Sequence, residues 1–308
     1  MDTFDKILVC IDNTDIDSEI LTAASLVSKL SESKEVHFIY VIKEINLPGS
    51  VLKEFPNIIN DSINDRKKEI QRKVDQYFFN DDTKITLKVF PGSITKSILR
   101  YSAEMDADLI VMGRKNEVKG GGISINRIAR RAACSLLILP SGYDPNLKKL
   151  LVPVDFSDGA LVSLNQTLHL AEKSEQKIKV VAQNVYQVPS GYHYTGKSYK
   201  EFAKYMLEKV SKDFDKFLKK VKPTNITIKP IHTLDRFDNV IDQIYSTAKK
   251  IKAGGIVIGA KGRTKSTSLF ISSKAERMIA LDSELPLMVI RPKGESEKEG
   301  ILEYLRKL

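Results

Sequence analysis

The two halves of this chain repeat one order of apolar and polar segments, and this repeat constrains the fold more than any other feature. Three landmarks recur: an aspartate ends the first apolar run (Asp12, Asp155), a valine ends the second (Val41, Val185) and a glycine ends the fourth (Gly113, Gly259). The paired residue numbers differ by 143, 144 and 146. A shift this constant indicates a tandem duplication.

Strand-like apolar runs alternate with amphipathic helical segments in both halves. Strands are predicted at residues 7–12, 36–41, 85–89, 109–113 and 136–139, and again at 150–155, 180–185, 226–231, 256–259 and 287–290. This alternation implies parallel pairing with right-handed crossovers, and continuous apolar strands imply a sheet covered on both faces. The sequence therefore predicts an α/β protein with two tandem doubly wound parallel-sheet domains.

The boundary between the predicted domains falls in a turn-rich segment, residues 140–147, giving domains 1–146 and 147–308. The segment is too short for a long flexible linker, so we expect the two halves to pack against each other as a pseudo-dimer. The second domain is expected to end in a helical tail, because Ile301, Leu302, Leu305 and Leu308 recur at helical intervals.

Composition narrows the class of protein. Cys10 and Cys134 both lie in or beside apolar runs and offer no disulfide framework or zinc spacing, so a reducing cytoplasm is the simplest location. No apolar run is long enough to span a bilayer. The net charge of +10 is uneven: the first half carries −1, and the second half carries +11, from 29 Lys and Arg against 18 Asp and Glu. Much of this excess is interleaved with acids on one predicted helix, which is typical of a solvated face, so neither a nucleic-acid nor a membrane partner is predicted.

The strongest functional signal is the polar loop from Gly259 to Ser273, which follows a buried strand and ends where a helix is predicted to begin. Glycines let the backbone approach a ligand closely, and a helix N-terminus favours negative charge. Thr264 stands where a Walker loop would need its second glycine, and the dinucleotide fingerprint is absent. Two interpretations stay open: a phosphate site, or a long loop closed by an ordinary Ser273-x-x-Glu276 capping box.

Asp155, Val185 and Gly259 all fall at carboxyl ends of predicted strands, where open α/β sheets bind ligands. No base with readable spacing accompanies Asp12 or Asp155, so no catalytic residue is predicted.

Two further features bear on the same edge of the sheet. Of the histidines, His37 and His169 are predicted to be structural, whereas His232 is predicted near the end of the third strand, facing the candidate site. The aromatic insert 186–199 is interpreted as a lid, as a partner contact or as ordinary loop packing.

Together these residues resemble a tandem universal stress protein over residues 4–292. The resemblance is carried by Ile-Leu-Val-x-x-Asp at each start, by Ala107 to Gly113, and by the endings at 130–139 and 275–280. It implies a five-stranded, adenine nucleotide alpha hydrolase-like sheet in each domain. ATP-binding members look like G-2x-G-9x-G-[ST] after the fourth strand. Gly259, Gly262 and Ser273 match this pattern, while Ser272 replaces the third glycine and its Cβ would narrow the loop.

The resemblance also implies a role for individual residues. Asp155 and Val185 would hold the adenine and ribose end, and Gly259 would flank the ribose. Gly262, Ser272 and Ser273 would cradle the phosphates, and Lys261, Arg263 and Lys274 would add positive charge. Pro153 and Ile258 complete the expected nucleotide-binding set.

The first half departs further from this pattern. Asn116 stands at the second glycine, Gly122 at the third and Ile123 at the hydroxyl, and the loop is shorter. We therefore expect this domain to be structural and to bind no ATP, and binding of another anion by Lys119 to Gly122 stays open.

These features predict a cytoplasmic stress-response protein that binds ATP or a related adenine nucleotide in its C-terminal domain, as a sensor or switch. Mg²⁺ is expected only with the nucleotide, and hydrolysis is expected to be slow at most. The alternative is a nucleotide-free protein-interaction module of the same fold. The identity of a protein partner and the formation of a homodimer stay open.

Overall fold

The computed structural model describes residues 4–42, 48–114, 122–143, 147–261, 271–281 and 284–292. The chain forms two compact units, one built on residues 1–145 and the other on residues 146–281 and 285–291. The predicted tail at 295–308 lies outside the described residues.

The N-terminal unit alternates strands and helices. Its elements are β1 (Lys6–Ile11), α1 (Asp17–Leu30), β2 (Glu35–Ile42), α2 (Gly49–Glu54), α3 (Ile58–Tyr77), β3 (Lys84–Pro91), α4 (Ile94–Glu104), β4 (Leu109–Arg114), α5 (Gly122–Arg131) and β5 (Ser135–Pro140). Its strands pair in parallel in the order β3-β2-β1-β4-β5.

The C-terminal unit repeats this plan. Its elements are β6 (Lys149–Pro153), α6 (Asp158–Lys173), β7 (Lys179–Tyr186), a 3-10 helix (Ser190–Thr195), α7 (Tyr199–Leu218), β8 (Ile228–Leu234), α8 (Val240–Ile251), β9 (Gly255–Gly259), α9 (Ser273–Ala280) and β10 (Leu287–Ile290). Its parallel strand order, β8-β7-β6-β9-β10, matches that of the first unit.

Both units confirm the predicted doubly wound, five-stranded parallel fold. In each sheet the first strand lies in the middle, and the chain reverses its direction of travel beside it, between β1 and β4 and between β6 and β9. Ligands bind at such switch points, outside the carboxyl ends of the strands. The pseudo-dimer packing of the two domains stays a prediction.

The duplication extends to unusual backbone conformations. Asn13 and Phe156, each directly after the aspartate of its repeat, have φ angles of 62° and 64°. Asp106 and Lys252, just before the fourth strand of each unit, have φ angles of 56° and 53°. Non-glycine residues seldom adopt this left-handed region, so its recurrence at matching positions shows that both copies keep the same turns.

Apolar burial holds each central strand in place. In β1, the side chains of Ile7, Leu8 and Val9 are fully buried, and Leu151 and Val152 of β6 are equally buried. Burial of such side chains stabilises the fold by roughly 1.5–3 kcal/mol each. The central strands can therefore carry ligand-binding residues at their ends without moving.

The strand β8 differs from its prediction, because it begins at Ile228 rather than Ile226 and continues to Leu234. The preceding turn explains the shift. Glu172 accepts hydrogen bonds from the Thr224 hydroxyl and the Asn225 N–H, and the Thr224 hydroxyl in turn accepts one from the Ile226 N–H. His232 consequently lies inside the strand rather than at its end.

The two longest helices, α3 and α7, have 20 residues each and are rich in charge. Among the helices of the described residues, none combines the length and the apolar character needed to cross a membrane.

A buried ion pair fixes α1 to α3 in the N-terminal unit. The Asp17 carboxylate is fully buried, and its Oδ2 accepts a hydrogen bond from Lys73 Nζ at 2.8 Å. Its Oδ1 accepts a hydrogen bond from the Asp12 N–H at 3.2 Å. Burial raises the pKa of Asp17, although the Lys73 ammonium and the hydrogen bond from the Asp12 N–H act in the opposite direction. Asp17 therefore depends on Lys73 for its charge.

Replacing this lysine tests that dependence. Lys73→Met leaves the buried carboxylate without its cation, and we expect the free energy of unfolding at neutral pH to fall by about 2 kcal/mol. Because the folded protein raises the pKa of Asp17, protonation favours the folded state, and the deficit should shrink as the pH falls towards the acidic range. Urea denaturation at several pH values measures both effects.

Lys73→Met in an Asp17→Asn background is the control. It should cost far less stability at neutral pH and show no recovery in acid. A deficit of Lys73→Met that is equal at neutral and acidic pH would contradict the proposed dependence.

Candidate functional site

Three of the predicted site residues, Asp155, Val185 and Gly259, lie at the carboxyl ends of three neighbouring strands in the C-terminal unit. In the register of β6 with β7, Pro153 lies opposite Gln183, and two residues further on Asp155 is level with Val185. The register of β6 with β9 places Ala260 at the same level on the other side. Neighbouring strands lie about 4.8 Å apart, so Asp155 stands between Val185 and the start of the polar loop.

The segment after β6 turns sharply around Asp155. Its Oδ1 accepts hydrogen bonds from the Ser157 N–H at 3.1 Å and from the Ser157 hydroxyl at 2.5 Å. The Ser157 Oγ accepts the Ala160 N–H at 3.2 Å and caps α6. The left-handed Phe156 makes this turn possible. The carboxylate of Asp155 is thereby held at the edge of the sheet.

The two units anchor this turn by different contacts. In the C-terminal unit, the Phe156 ring packs at 6.3 Å from Phe214 and 5.8 Å from Phe217 of α7. In the N-terminal unit, the equivalent Asn13 donates a hydrogen bond to Glu69 of α3 at 2.8 Å. The contact that anchors Phe156 is therefore apolar, whereas the contact that anchors Asn13 involves the Glu69 carboxylate.

The buried side-chain amides of two residues of β7, Gln183 and Asn184, position the end of β6. Neither residue was predicted to belong to the site. Asn184 Nδ2 donates to the Val154 carbonyl at 2.7 Å, and the Val154 N–H donates to the Gln183 carbonyl. The side chain of Gln183 joins β7 to β8 and α8 through Thr233 and Thr247. Adjacent polar residues inside an otherwise apolar strand were the available signal, since a buried amide is costly unless it is hydrogen-bonded.

Glycines allow α6 and the polar loop to meet backbone to backbone. A Cβ built on Gly259 would lie 2.4 Å from the carbonyl oxygen of Gly159. A Cβ on Gly159 would lie 2.0 Å from the carbonyl oxygen of Lys261. Gly159 was not predicted as a site residue, although glycine is an unfavourable choice in a helix and so marked the position. This contact fixes where the loop leaves β9.

The loop returns to the point from which it leaves. The Ser272 N–H donates to the Ala260 carbonyl at 2.8 Å, and the Ser272 hydroxyl accepts from the Ala275 N–H at 3.3 Å, capping α9. The N-cap is therefore Ser272, and the capping box predicted for Ser273 and Glu276 is wrong, because the N3 residue is Ala275, whose side chain cannot accept a hydrogen bond. Ser273 and Lys274 occupy the exposed first turn of α9, where backbone N–H groups have no partner within the helix.

The substitution of serine for glycine at position 272 carries no backbone cost. Its φ angle is −62° and its ψ angle 148°, values open to any residue.

The remaining predicted site residues divide into two groups. Pro153 and Lys261 are half-buried at this edge, whereas Ile258 lies in β9 with only 6% of its surface exposed and contributes its side chain to the core. Gly262 and Arg263 lie outside the described residues.

His232 and His37 each make contacts within their own units. His232 packs edge-on against Phe214 at 5.3 Å, and burial lowers its pKa while the Asp215 carboxylate partly opposes the shift. In the other unit, His37 contacts the Tyr101 hydroxyl at 2.8 Å and Glu35 at 3.1 Å. Across the described ranges, no cluster of three or more His, Cys, Asp or Glu side chains is arranged to hold a metal.

The same place in the N-terminal unit is filled by apolar side chains. A Cβ on Gly113 would lie 2.9 Å from Ile16 and 2.8 Å from Ile20. Ile16 occupies the position that Gly159 has in the repeat. The helix α5 begins at Gly122, so the connection after β4 is shorter than the one after β9, and Asn116 within it lies outside the described residues.

The parallel sheet, the reversal of the chain beside its first strand and the polar loop at its carboxyl edge define a doubly wound α/β protein with a candidate anion site. A model of the universal stress protein family matches residues 3–140 and again residues 146–291. The chain therefore belongs to the universal stress protein family and carries two copies of its domain. No curated protein matches the chain.

Solved structures show the same fold over the whole chain. The protein is similar to a universal stress protein from Archaeoglobus fulgidus DSM 4304, with 16% identity, a TM-score of 0.65 and coverage of 95% of this chain and 100% of that one. It is also similar to a functionally unknown protein from Pseudomonas aeruginosa PAO1, with 15% identity, a TM-score of 0.63 and coverage of 99% and 98%.

The close contact between Gly159 and the Lys261 backbone predicts whether Gly159→Ala raises or lowers the free energy of unfolding. Alanine normally stabilises a helix by about 1 kcal/mol relative to glycine, but Gly159→Ala would push a methyl group into the Lys261 backbone. We expect the free energy of unfolding to fall by about 1–3 kcal/mol instead. Gly259→Ala should destabilise similarly. Urea denaturation measures both variants.

Gly255→Ala is the matched control in the same strand as Gly259. Its Cβ would meet neighbours at 3.5 Å, an ordinary contact, so its effect should stay within about 1 kcal/mol. A stabilised Gly159→Ala variant would show that α6 and the loop do not meet closely.

Proposed function

We propose that the C-terminal unit binds ATP or a related adenine nucleotide at the carboxyl edge of its sheet, and that binding acts as a sensor or switch. The observation that carries this proposal is the hydrogen bond from the Ser272 N–H to the Ala260 carbonyl. It brings the N-terminus of α9 back to the end of β9, beside Asp155. A phosphate-binding helix start and a carboxylate suited to a ribose hydroxyl thus share one edge.

The chemistry of the edge fits the two ends of a nucleotide. Asp155 and Val185, on neighbouring strands, provide an acceptor and an apolar side chain for the ribose and base. The first turn of α9 offers the N–H groups of Ser273 and Lys274, together with a lysine side chain, to the phosphates. Gly262 and Arg263 belong to the same proposed site by their place in the family pattern, and Mg²⁺ would enter only with the phosphates.

Ser272 is compatible with this proposal in a specific way. Its hydroxyl is engaged in capping α9, so it supports the helix that would bind the phosphates rather than donating to them. Its Cβ narrows the approach but imposes no backbone strain. The phosphate contacts are therefore assigned to the N–H groups of the first turn and to the Ser273 hydroxyl.

The N-terminal unit is proposed to bind no nucleotide. Ile16 and Ile20 fill the space beside Gly113. This unit would then serve as a structural partner.

Calorimetric titration with ATP tests the site, with a variant that is not expected to destabilise α9. Ser273→Asp places a carboxylate in the first turn of α9, where it stabilises the helix dipole but repels phosphate. We expect one-site binding by the wild-type protein and at least tenfold weaker binding by Ser273→Asp, equivalent to about 1.4 kcal/mol. Gly262→Asp should weaken binding in the same way.

Ser273→Asn is the control, because asparagine has the shape of aspartate without its charge. Its amide NH2 can donate in place of the Ser273 hydroxyl, so it should bind ATP only a few-fold more weakly than the wild-type protein and clearly more tightly than Ser273→Asp. Absence of saturable heat at millimolar ATP with folded wild-type protein would overturn the nucleotide proposal and favour the alternative, a nucleotide-free interaction module. Hydrolysis abolished by Asp155→Ala would instead show a slow ATPase.

A further inference from the structure

We propose that the C-terminal unit also binds single-stranded nucleic acid along the exposed side of α7, through residues other than those proposed for the nucleotide site. The surface joins a row of aromatic rings to a stripe of lysines. The aromatic row consists of Tyr192, His193, Tyr194, Phe202 and Tyr205, and the lysine stripe consists of Lys209, Lys212 and Lys216. This proposal does not depend on the nucleotide site.

The rings of the aromatic row form a continuous series. The centroid distances are 4.4 Å from Tyr194 to His193, 5.7 Å from His193 to Tyr192, 6.3 Å from Tyr192 to Phe202 and 5.5 Å from Phe202 to Tyr205. The two ends of the row face solvent: Tyr194 is 88% exposed and Tyr205 is 49% exposed. Buried packing does not explain rings this exposed, whereas stacking with the bases of a single strand does.

The lysine stripe continues the row along one side of the helix. Phe202, Tyr205, Lys209, Lys212 and Lys216 follow each other at spacings of three and four residues, which places them on one helical face. The core-facing residues of α7, such as Ala203, Val210 and Phe214, lie on a different face. From Phe202 to Lys216 the surface extends roughly 20 Å, the reach of a few nucleotides.

Four acidic residues lie on α7: Glu201 and Asp213 are engaged in the contacts that follow, whereas Glu208 and Asp215 are exposed. Glu201 accepts the Ser198 N–H and hydroxyl in the capping box of α7, at 2.8 and 2.7 Å. Asp213 pairs with Lys216 at 3.1 Å. Within the part of the chain that the structure describes, Lys209 and Lys212 form no ion pair, and both are exposed. A polyanion would therefore meet two available ammonium groups beside the exposed rings.

Single-stranded nucleic acid offers bases to the aromatic row and phosphates to the lysine stripe. Lysines attract phosphates without regard to sequence, and aromatic rings stack with any base. An acidic protein segment would use the lysines but would not require the row of exposed rings. Charge alone predicted a solvated helix face; the arrangement of rings beside the lysines is the additional observation.

Fluorescence anisotropy with a labelled single-stranded oligo(dT) tests the proposal on the full-length protein. We expect Tyr194→Ala/Tyr205→Ala to bind roughly tenfold more weakly than the wild-type protein. Tyr194 is largely exposed and Tyr205 about half exposed, so the variant should keep the circular dichroism of the wild-type protein and a melting temperature close to it. Lys209→Gln/Lys212→Gln should reduce the slope of log affinity against log salt by about 1.4.

Lys200→Gln/Lys204→Gln is the matched control, because it removes the same charge from the same helix on its other flank. Affinity and salt slope should stay close to those of the wild-type protein. Equal losses from both lysine pairs, with no effect of the tyrosine pair, would show diffuse charge attraction and overturn the proposal. Failure to bind at low salt, equal binding of a duplex, or competition by ATP without any effect of the tyrosine pair would overturn it as well.

Discussion

The close contact between the first turn of α6 and the end of β9 is the constraint on which the candidate site depends. It lies at the switch point of the C-terminal sheet, where the chain must leave β9 in a direction set by α6. Because glycine stands at both 159 and 259, the two backbones meet directly. The start of the polar loop is thereby fixed against a helix that is itself capped by Ser157 and tied to Asp155.

The two units share one backbone plan. Both units keep the strand order, the left-handed turn after the first strand and the left-handed residue before the fourth. They differ in what fills the switch point. Isoleucine side chains occupy it in the N-terminal unit, whereas backbone alone reaches it in the C-terminal unit. A buried ion pair and hydrogen bonds then fix the N-terminal turn to α3, in place of the aromatic contacts of the C-terminal unit.

The two proposed binding surfaces of the C-terminal unit would bind their ligands through different interactions. The strand edge would bind through backbone N–H groups and one carboxylate, held rigidly by neighbouring strands. The side of α7 would bind through exposed rings and mobile lysine side chains, which favours weak, salt-sensitive and sequence-tolerant contacts. Both belong to segments that follow strands at the carboxyl side, where this fold varies its loops without altering its core.

The sequence by itself determined the fold class, because periodic apolar runs and a nearly constant offset between the halves leave few alternatives. It also indicated the residues at the strand ends, since parallel strands bring their carboxyl ends to one edge. Tertiary structure alone decided which residues position that edge. Gln183, Asn184 and Gly159 act through contacts with residues distant in the chain, and the cap moved to Ser272 because the loop closes on Ala260. Such contacts depend on packing between elements, which local sequence patterns do not encode.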